Sequence, residues 1–288
     1  VYLIDTVAVD DMKLLGNVLA NRAILKVVQG AEYDIRCLDR QWGLQVRNIF
    51  DTSIGARFLG MDKIGLAALA ENLLGVCIPK DARIQKSDWA IRPLSNDALE
   101  YAAMDVWYLL GIYRALENRL RSIKRFSWVS EECARLEDIR YVPPNMDMAY
   151  LSLKGSHTLS GQQRAMLKRL FTLREVEARL RNRPPYYVLP HETLVYLACN
   201  PSTDLTELPT LRNKLNTRFV HLLSVNLHKG LDDPPIKAPI RERMKPATHI
   251  EVERLKRLKH WRGNLGRQLS IDSALVWPLA SLERLARD

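Results

Sequence analysis

Asp34, Tyr101 and Asp105 are the side chains of this sequence best placed to do chemistry. Asp34 sits early in an amphipathic stretch, Gln29-Gly30-Ala31-Glu32-Tyr33-Asp34-Ile35. Tyr101 and Asp105 lie four apart in a segment with helical spacing, which sets the phenol and the carboxylate on one face, about one turn apart. They share a side with Ala102 and Leu109 rather than with the most exposed positions. Carboxylates and phenols are hard oxygen groups, suited to hold a cation or orient a water. Taken singly, each aspartate reads more simply as a solvated charge or a helix-capping group.

The elements that must carry these groups alternate between β and α. Residues 2–4 read as a short strand. Asp10 is placed to cap a helix with Met12, Leu15, Val18 and Leu19 on one face. A β-rich run follows at 23–28, then a helix over 32–42 burying Ile35, Cys37 and Leu38. Residues 46–50 read as a strand, and Asp51 opens a helix bearing Ile54, Phe58 and Leu59. A further amphipathic helix covers 65–74. This pattern predicts a sheet with helices on its faces. Residues 76–94, with Pro79 and Pro93, read as an ordered loop; Ser95 then caps a helix that the apolar period carries to 118.

Several stretches in order resemble the ribonuclease D family of DEDDy 3′→5′ exonucleases. Gly30-Ala31-Glu32-Tyr33-Asp34-Ile35 resembles its second motif, and Tyr101-Ala102-Ala103-Met104-Asp105 with Tyr108-Leu109 its third. Phe50-Asp51-Thr52, Gly65-Leu66-Ala67-Ala68-Leu69, Gln85-Lys86-Ser87-Asp88-Trp89 and Arg92-Pro93-Leu94 match at the expected intervals. The resemblance implies a ribonuclease H-like α/β exonuclease domain, a mixed sheet flanked by helices. It implies that Asp34 and Asp105 are two of four acids holding two divalent metal ions, Mg²⁺ or Mn²⁺, and that Tyr101 places the attacking water. A metal pair of this kind stabilises the entering and leaving oxygens of an in-line displacement. Gln85, Lys86, Trp89 and Arg92 are candidates to line the nucleic-acid groove. The family's first motif, an Asp-x-Glu on the opening strand, is not in the sequence, and Asp5 does not replace it. The start is therefore read as a truncation, and weak or no activity is expected of the chain as supplied. Gln29 stands where the family usually has a His.

Past residue 140 the strand pattern ends. Residues 141–156 read as a linker, and Ser160 with Gln163 forms a capping box opening a long helix through 181. Helices are expected at 191–198, 210–230, 250–263 and 270–286. Leu173-Arg174-Glu175, Pro185-Tyr186-Tyr187-Val188-Leu189-Pro190 and Thr193-Leu194 resemble the HRDC module, an all-α bundle, over 157–233. Residues 240–288 are read as a second, incomplete HRDC-like helical region. Lys168 and Arg169 head a basic stripe with Arg164, Arg174, Arg179, Arg181 and Arg183; a second stripe runs through Arg254, Lys256, Arg257, Lys259, Arg262 and Arg267. Such stripes can track a phosphate backbone; Tyr186 and Tyr187 could stack on bases, with core packing the reading preferred.

Composition agrees. The 288 residues carry a net charge of +10, which favours polyanionic partners. Expected partners are RNA, as single-stranded 3′ ends and tRNA precursors, and DNA through the HRDC-like part. A monomer without membrane association is expected, since no long apolar run occurs. Cys37, Cys77, Cys133 and Cys199 show no metal or disulfide spacing and read as reduced core residues of a cytoplasmic protein. Of the six histidines, His191, His221, His249 and His260 are not spaced as ligands. The leading expectation is a metal-dependent exoribonuclease trimming tRNA-like 3′ ends to nucleoside 5′-monophosphates. The alternative is a non-catalytic RNA- or DNA-binding protein on a degenerate exonuclease fold.

Overall fold

A computed structural model describes residues 1–79, 81–208, 217–238 and 246–288. Two compact units emerge, one formed by Val1–Tyr141 with Lys245–Asp288, the other by Val142–Met244. Among the described residues no helix is long and apolar enough to cross a membrane.

The first unit opens with α1 (Lys13–Ala20), β1 (Lys26–Val28), α2 (Glu32–Trp42) and β2 (Ile49–Asp51). The two strands pair in parallel, Lys26 opposite Ile49 and Val28 opposite Asp51. Both are shorter than their sequence suggests, for local reasons. The Asn21 side chain accepts from the Ala23 N–H at 2.8 Å and folds the approach to β1 into a turn. Asn48 takes a left-handed φ of 54°, so β2 cannot start before Ile49. The expected strand at 2–4 does not form. Tyr2 is 97% exposed, and Asp5 bends the chain by accepting from the Val7, Ala8 and Val9 N–H groups. Asp10 does not cap α1: the N-cap position is Met12, and Asp11 just before it accepts from the Lys13 N–H at 2.8 Å.

Next come α3 (Thr52–Phe58), α4 (Leu66–Leu74), α5 (Ala82–Gln85), α6 (Asn96–Trp107), α7 (Leu109–Ser122) and α8 (Phe126–Leu136). The predicted single helix of 95–118 is thus two helices jointed at Tyr108. Their burial explains the joint. On α7, Leu109, Ile112, Leu116 and Leu120 are buried at helical spacing, whereas α6 buries Ala98 alone. Each such α7 side chain contributes on the order of 2 kcal/mol to a core shared with Phe50, Ile54, Leu69, Val129 and Cys133. Of the four cysteines only Cys133 is buried; Cys77 and Cys199 are exposed and all are unpaired.

In the second unit, α9 (Met146–Ala149) precedes α10 (Gly161–Leu180), α11 (Pro185–Val188), α12 (His191–Cys199) and α13 (Thr217–Gly230). The capping box of Ser160 and Gln163 is present as predicted. The helix expected from 210 begins at Thr217, and residues 209–216 lie outside the described ones. Leu167, Leu170, Leu194, Leu197 and Leu223 form the core, which the stretch 141–156 joins through Tyr150 and Leu153.

Three helices complete the first unit: α14 (His249–Leu269), α15 (Ser273–Val276) and α16 (Leu279–Leu285). Arg125 fastens them, donating to the Phe58 carbonyl at 2.8 Å and to the Leu269 carbonyl at 2.6 Å. Beside it Gly60 has φ 74°, and a Cβ there would lie 2.1 Å from the Ser270 carbonyl oxygen. Only glycine permits that approach.

Candidate active site

Asp34 reaches its position through the turn Gln29–Gly30–Ala31, between β1 and α2. Gly30 has φ 65°, and the turn is gripped from beneath by Asp51, 2% exposed. One Asp51 carboxylate oxygen accepts from Gly30 N–H at 3.0 Å, and from the Ser53 N–H and hydroxyl. The other accepts from Ala31 N–H at 2.9 Å. Asp51 is therefore both the cap of α3 and the anchor of α2, and is too fully engaged to serve as a free ligand. The sequence marked it as a helix start; its second task depends on residues 20 positions away. Its backbone N–H donates to the Cys133 thiol, which burial pushes up to about 12.

Gln29, the departure from the family pattern, is a structural clip. Its amide nitrogen donates to the Ile64 carbonyl at 2.9 Å, and its oxygen accepts from the Thr52 hydroxyl. Asp34 itself is exposed, yet enough protein surrounds its carboxyl that desolvation raises its pKa, and the Asp51 carboxylate raises it further.

Tyr101 and Asp105 stand one turn apart on α6, whose start is capped by the Ser95 hydroxyl accepting from Ala98 N–H at 3.2 Å. Both line a concavity of about 740 Å³, with Gln85, Lys63 and Asp81 also on its wall. Desolvation raises the Asp105 carboxyl. It also raises the Tyr101 phenol, with the Asp105 and Asp81 carboxylates adding to the effect. Trp89 leans on Tyr101, ring centroids 6.1 Å apart.

The predicted groups are thus partly assembled. Tyr101, Asp105 and Gln85 share one concavity, Trp89 braces it, and Asp34 is not on its wall. Lys86 is exposed beside Gln85. Arg92, at the surface, is engaged by the Asp5 carboxylate and the Trp89 and Ile91 carbonyls. In the second unit Arg169 is clamped by both Asp233 oxygens, and Lys168 lies 3.5 Å from Asp147. Much of the basic stripe on α10 is engaged in the same way, while Arg179 and Arg183 are exposed. Arg174 is buried against Glu175, Arg181 pairs with Glu177, and Arg164 holds the Leu159 and Ile236 carbonyls. Tyr186 and Tyr187, read as core, are exposed.

As a cation site, the donors fit in kind and fall short in number. Asp34 and Asp105 make no ion pair with a described residue, and their ionised forms are disfavoured where they stand, so an added cation would relieve both. Among the described residues, however, no three His, Cys, Asp or Glu side chains are grouped to hold a metal.

Comparison with known proteins gives the relationship. A 3′-5′ exonuclease family model matches residues 1–121, and an HRDC domain model matches residues 163–220. The ribonuclease D of Nitrobacter hamburgensis is 30% identical over 285 residues, covering 96% of this chain and 73% of that protein. The chain belongs to the ribonuclease D family. The ribonuclease D of Shewanella sp. is 34% identical over 238 residues, covering 81% of this chain. This chain spans 61% of the Shewanella ribonuclease D and 56% of one from Pseudomonas paraeruginosa. Escherichia coli RNase D, described as an exoribonuclease involved in structured RNA processing, matches with a TM-score of 0.69 at 23% identity. That match covers 98% of this chain and 76% of the other. The ribonuclease D fold, an α/β exonuclease domain followed by a helical HRDC region, is the fold of this chain.

Proposed function

We propose that this member of the ribonuclease D family is a 3′→5′ exoribonuclease. It trims the single-stranded 3′ ends of structured RNAs, tRNA precursors among them, and releases nucleoside 5′-monophosphates. The observation that carries this reading is the Tyr101–Asp105 pair facing one concavity, in the positions that match the family's third motif. Tyr101 orients the attacking water through its hydroxyl, and Trp89 holds the ring. Asp34 and Asp105 are the residues that would hold Mg²⁺ or Mn²⁺, ions that prefer carboxylate oxygen and that, when bound, activate water and neutralise phosphate charge. With two of the four family acids, the present chain binds such ions weakly. Gln85 and Lys86 lie along the approach and meet the RNA, and the HRDC region grips RNA or DNA beyond the cut. The protein works as a monomer in the cytoplasm, where its unpaired cysteines stay reduced.

The test is a form of the protein extended by an Asp-x-Glu strand, given Mn²⁺ and an RNA with a 3′-hydroxyl. The RNA shortens one nucleotide at a time, and Asp105→Asn stops the reaction. An unchanged rate in Asp105→Asn overturns the site. A second reading is favoured by the lack of a three-acid group among the described residues. In it the protein grips RNA or DNA without cutting, and the extended form binds RNA but leaves its length unchanged.

A further inference from the structure

The C-terminal helices repeat a backbone found in the second unit. Ser160 and Thr248 each open a capping box, with Gln163 and Glu251 as the returning side chains. The helices they start, α10 and α14, run 20 and 21 residues. A four-residue helix follows each, Pro185–Val188 and Ser273–Val276, then an extended residue, Leu189 and Trp277. Pro190 and Pro278 then launch α12 and α16. The pairs keep one offset of 88 residues (160 to 248, 185 to 273, 190 to 278). Arg174 and Arg262 occupy equivalent positions too, and each donates to a carbonyl of the segment that follows its helix, Leu189 at 3.4 Å and Ser273 at 2.8 Å, although these two acceptors are not equivalent by the offset.

The two copies part company on one face of the long helix. On α10 that face is sealed by α13 and the chain after it. Arg169 holds Asp233, Gln162 donates to the Gly230 and Leu231 carbonyls, and buried Met166 packs on Gly230. At the same offset α14 has Arg254 for Met166, Trp261 for Leu173 and His260 for Thr172, while Arg257 keeps the place of Arg169. The fully buried Leu189 is replaced by Trp277. Trp261 and Trp277 are 44% and 42% exposed, with rings edge to face at 6.4 Å. A concavity of about 520 Å³ is lined by Trp261 with Glu253, Lys256, Arg257 and His260, and there Lys256 lies 3.7 Å from the Glu253 carboxylate. Arg254 and Arg257 are exposed and pair with no acid among the described residues. An apolar helix laid here as α13 is on α10 would bury unpaired cations, which is unfavourable. Indole faces beside free guanidinium groups instead suit stacked bases and their phosphates.

We propose that this face of α14 is a platform for single-stranded nucleic acid. Trp261 stacks a base, and Arg254 and Arg257, at helical spacing along the same face, meet the flanking phosphates. The platform rests on the reading of the chain as a nucleic-acid enzyme, but it shares no residue with the concavity of Tyr101 and Asp105.

Binding is measured with the full chain and a fluorescein-labelled oligouridylate of about ten nucleotides, the span of one single-strand site. Trp261→Ala weakens binding on the order of tenfold, and Trp261→Phe restores most of it, because every aromatic face can stack. Arg257→Gln lowers the slope of log affinity against log salt by about 0.7, the value for one phosphate contact on a single strand. If Trp261→Ala and Arg257→Gln fold normally and leave both affinity and slope unchanged, the platform is overturned while the exonuclease reading stands. If Asp105→Asn leaves trimming intact in the extended form but the Trp261 and Arg257 effects appear, the converse holds. If tryptophan fluorescence responds to a peptide of residues 217–236 and not to the oligouridylate, the face takes a protein helix and the proposal fails.

Discussion

The two helices that carry the aspartates are held by opposite means. α2 is fixed from beneath, by a buried carboxylate with four donors at the turn and the adjoining helix start. α6 and the loop before it are fixed from outside, by the Arg92–Asp5 pair and the lean of Trp89 on Tyr101. Donors hidden from water have no substitute when their acceptor goes, whereas a surface pair is exchanged for water at little cost. Asp34 therefore stands on a base held by buried hydrogen bonds, and the Tyr101–Asp105 side is held by contacts at the surface.

Substitutions sharpen or break that contrast. The largest effect belongs to Asp51→Ala, which strands buried N–H groups and costs about 3 kcal/mol of stability; a denaturant midpoint close to wild type would erase the contrast. Gln29→Ala removes the clip to Ile64 and Thr52 and costs about 1 kcal/mol by the same measurement. Trp89→Ala leaves the midpoint nearly unmoved and lowers kcat of the extended enzyme several-fold, on the order of 1 kcal/mol in the barrier, with KM little changed; equal loss of stability would make Trp89 a core residue instead.

The pH responses are smaller and opposite in sign. The Arg92 guanidinium holds the Asp5 carboxyl down to about 2. A lowered folded-state pKa stabilises above the unfolded value, so the pair is at full strength above about pH 4 and is lost as pH falls through about 2. The Arg92 Nε–H resonance in NMR follows that loss. Asp34 and Asp105 are raised, so each favours the fold most in acid and withdraws that support as pH rises through its folded value. Asp34→Asn accordingly gives a slightly higher melting temperature at neutral pH and none of the gain at pH 3; a lower melting temperature at pH 7 contradicts the raised carboxyl.

What the sequence discloses follows from range. Ser95 and Ser160 could be named as caps because a cap and its acceptor lie three residues apart. Tyr101 and Asp105 could be paired because one helix turn sets their distance. The tasks of Asp51, Gln29 and Arg169 could not be read, since their partners lie 20 to 64 residues away. Arg174 looked like one more cation on a basic stripe, and only the packing of α11 shows it buried. The strand at 2–4 failed for a related reason: apolar alternation proposes a strand, but a ladder needs a neighbour, and among the described residues it has none. Asp34 and Asp105 are expected on two distant helices and stand on α2 and α6, and among the described residues no three His, Cys, Asp or Glu side chains are grouped to hold a metal.

The reach of Arg125 sets an order of assembly. Its first acceptor, the Phe58 carbonyl, precedes it in the chain, while the second, Leu269, follows 144 residues later. On a translating ribosome the whole 142–244 unit has been synthesised before that second carbonyl exists. Until then the groove beside Gly60 is an open seam, and a nascent chain paused there offers chaperones and proteases a half-finished first unit.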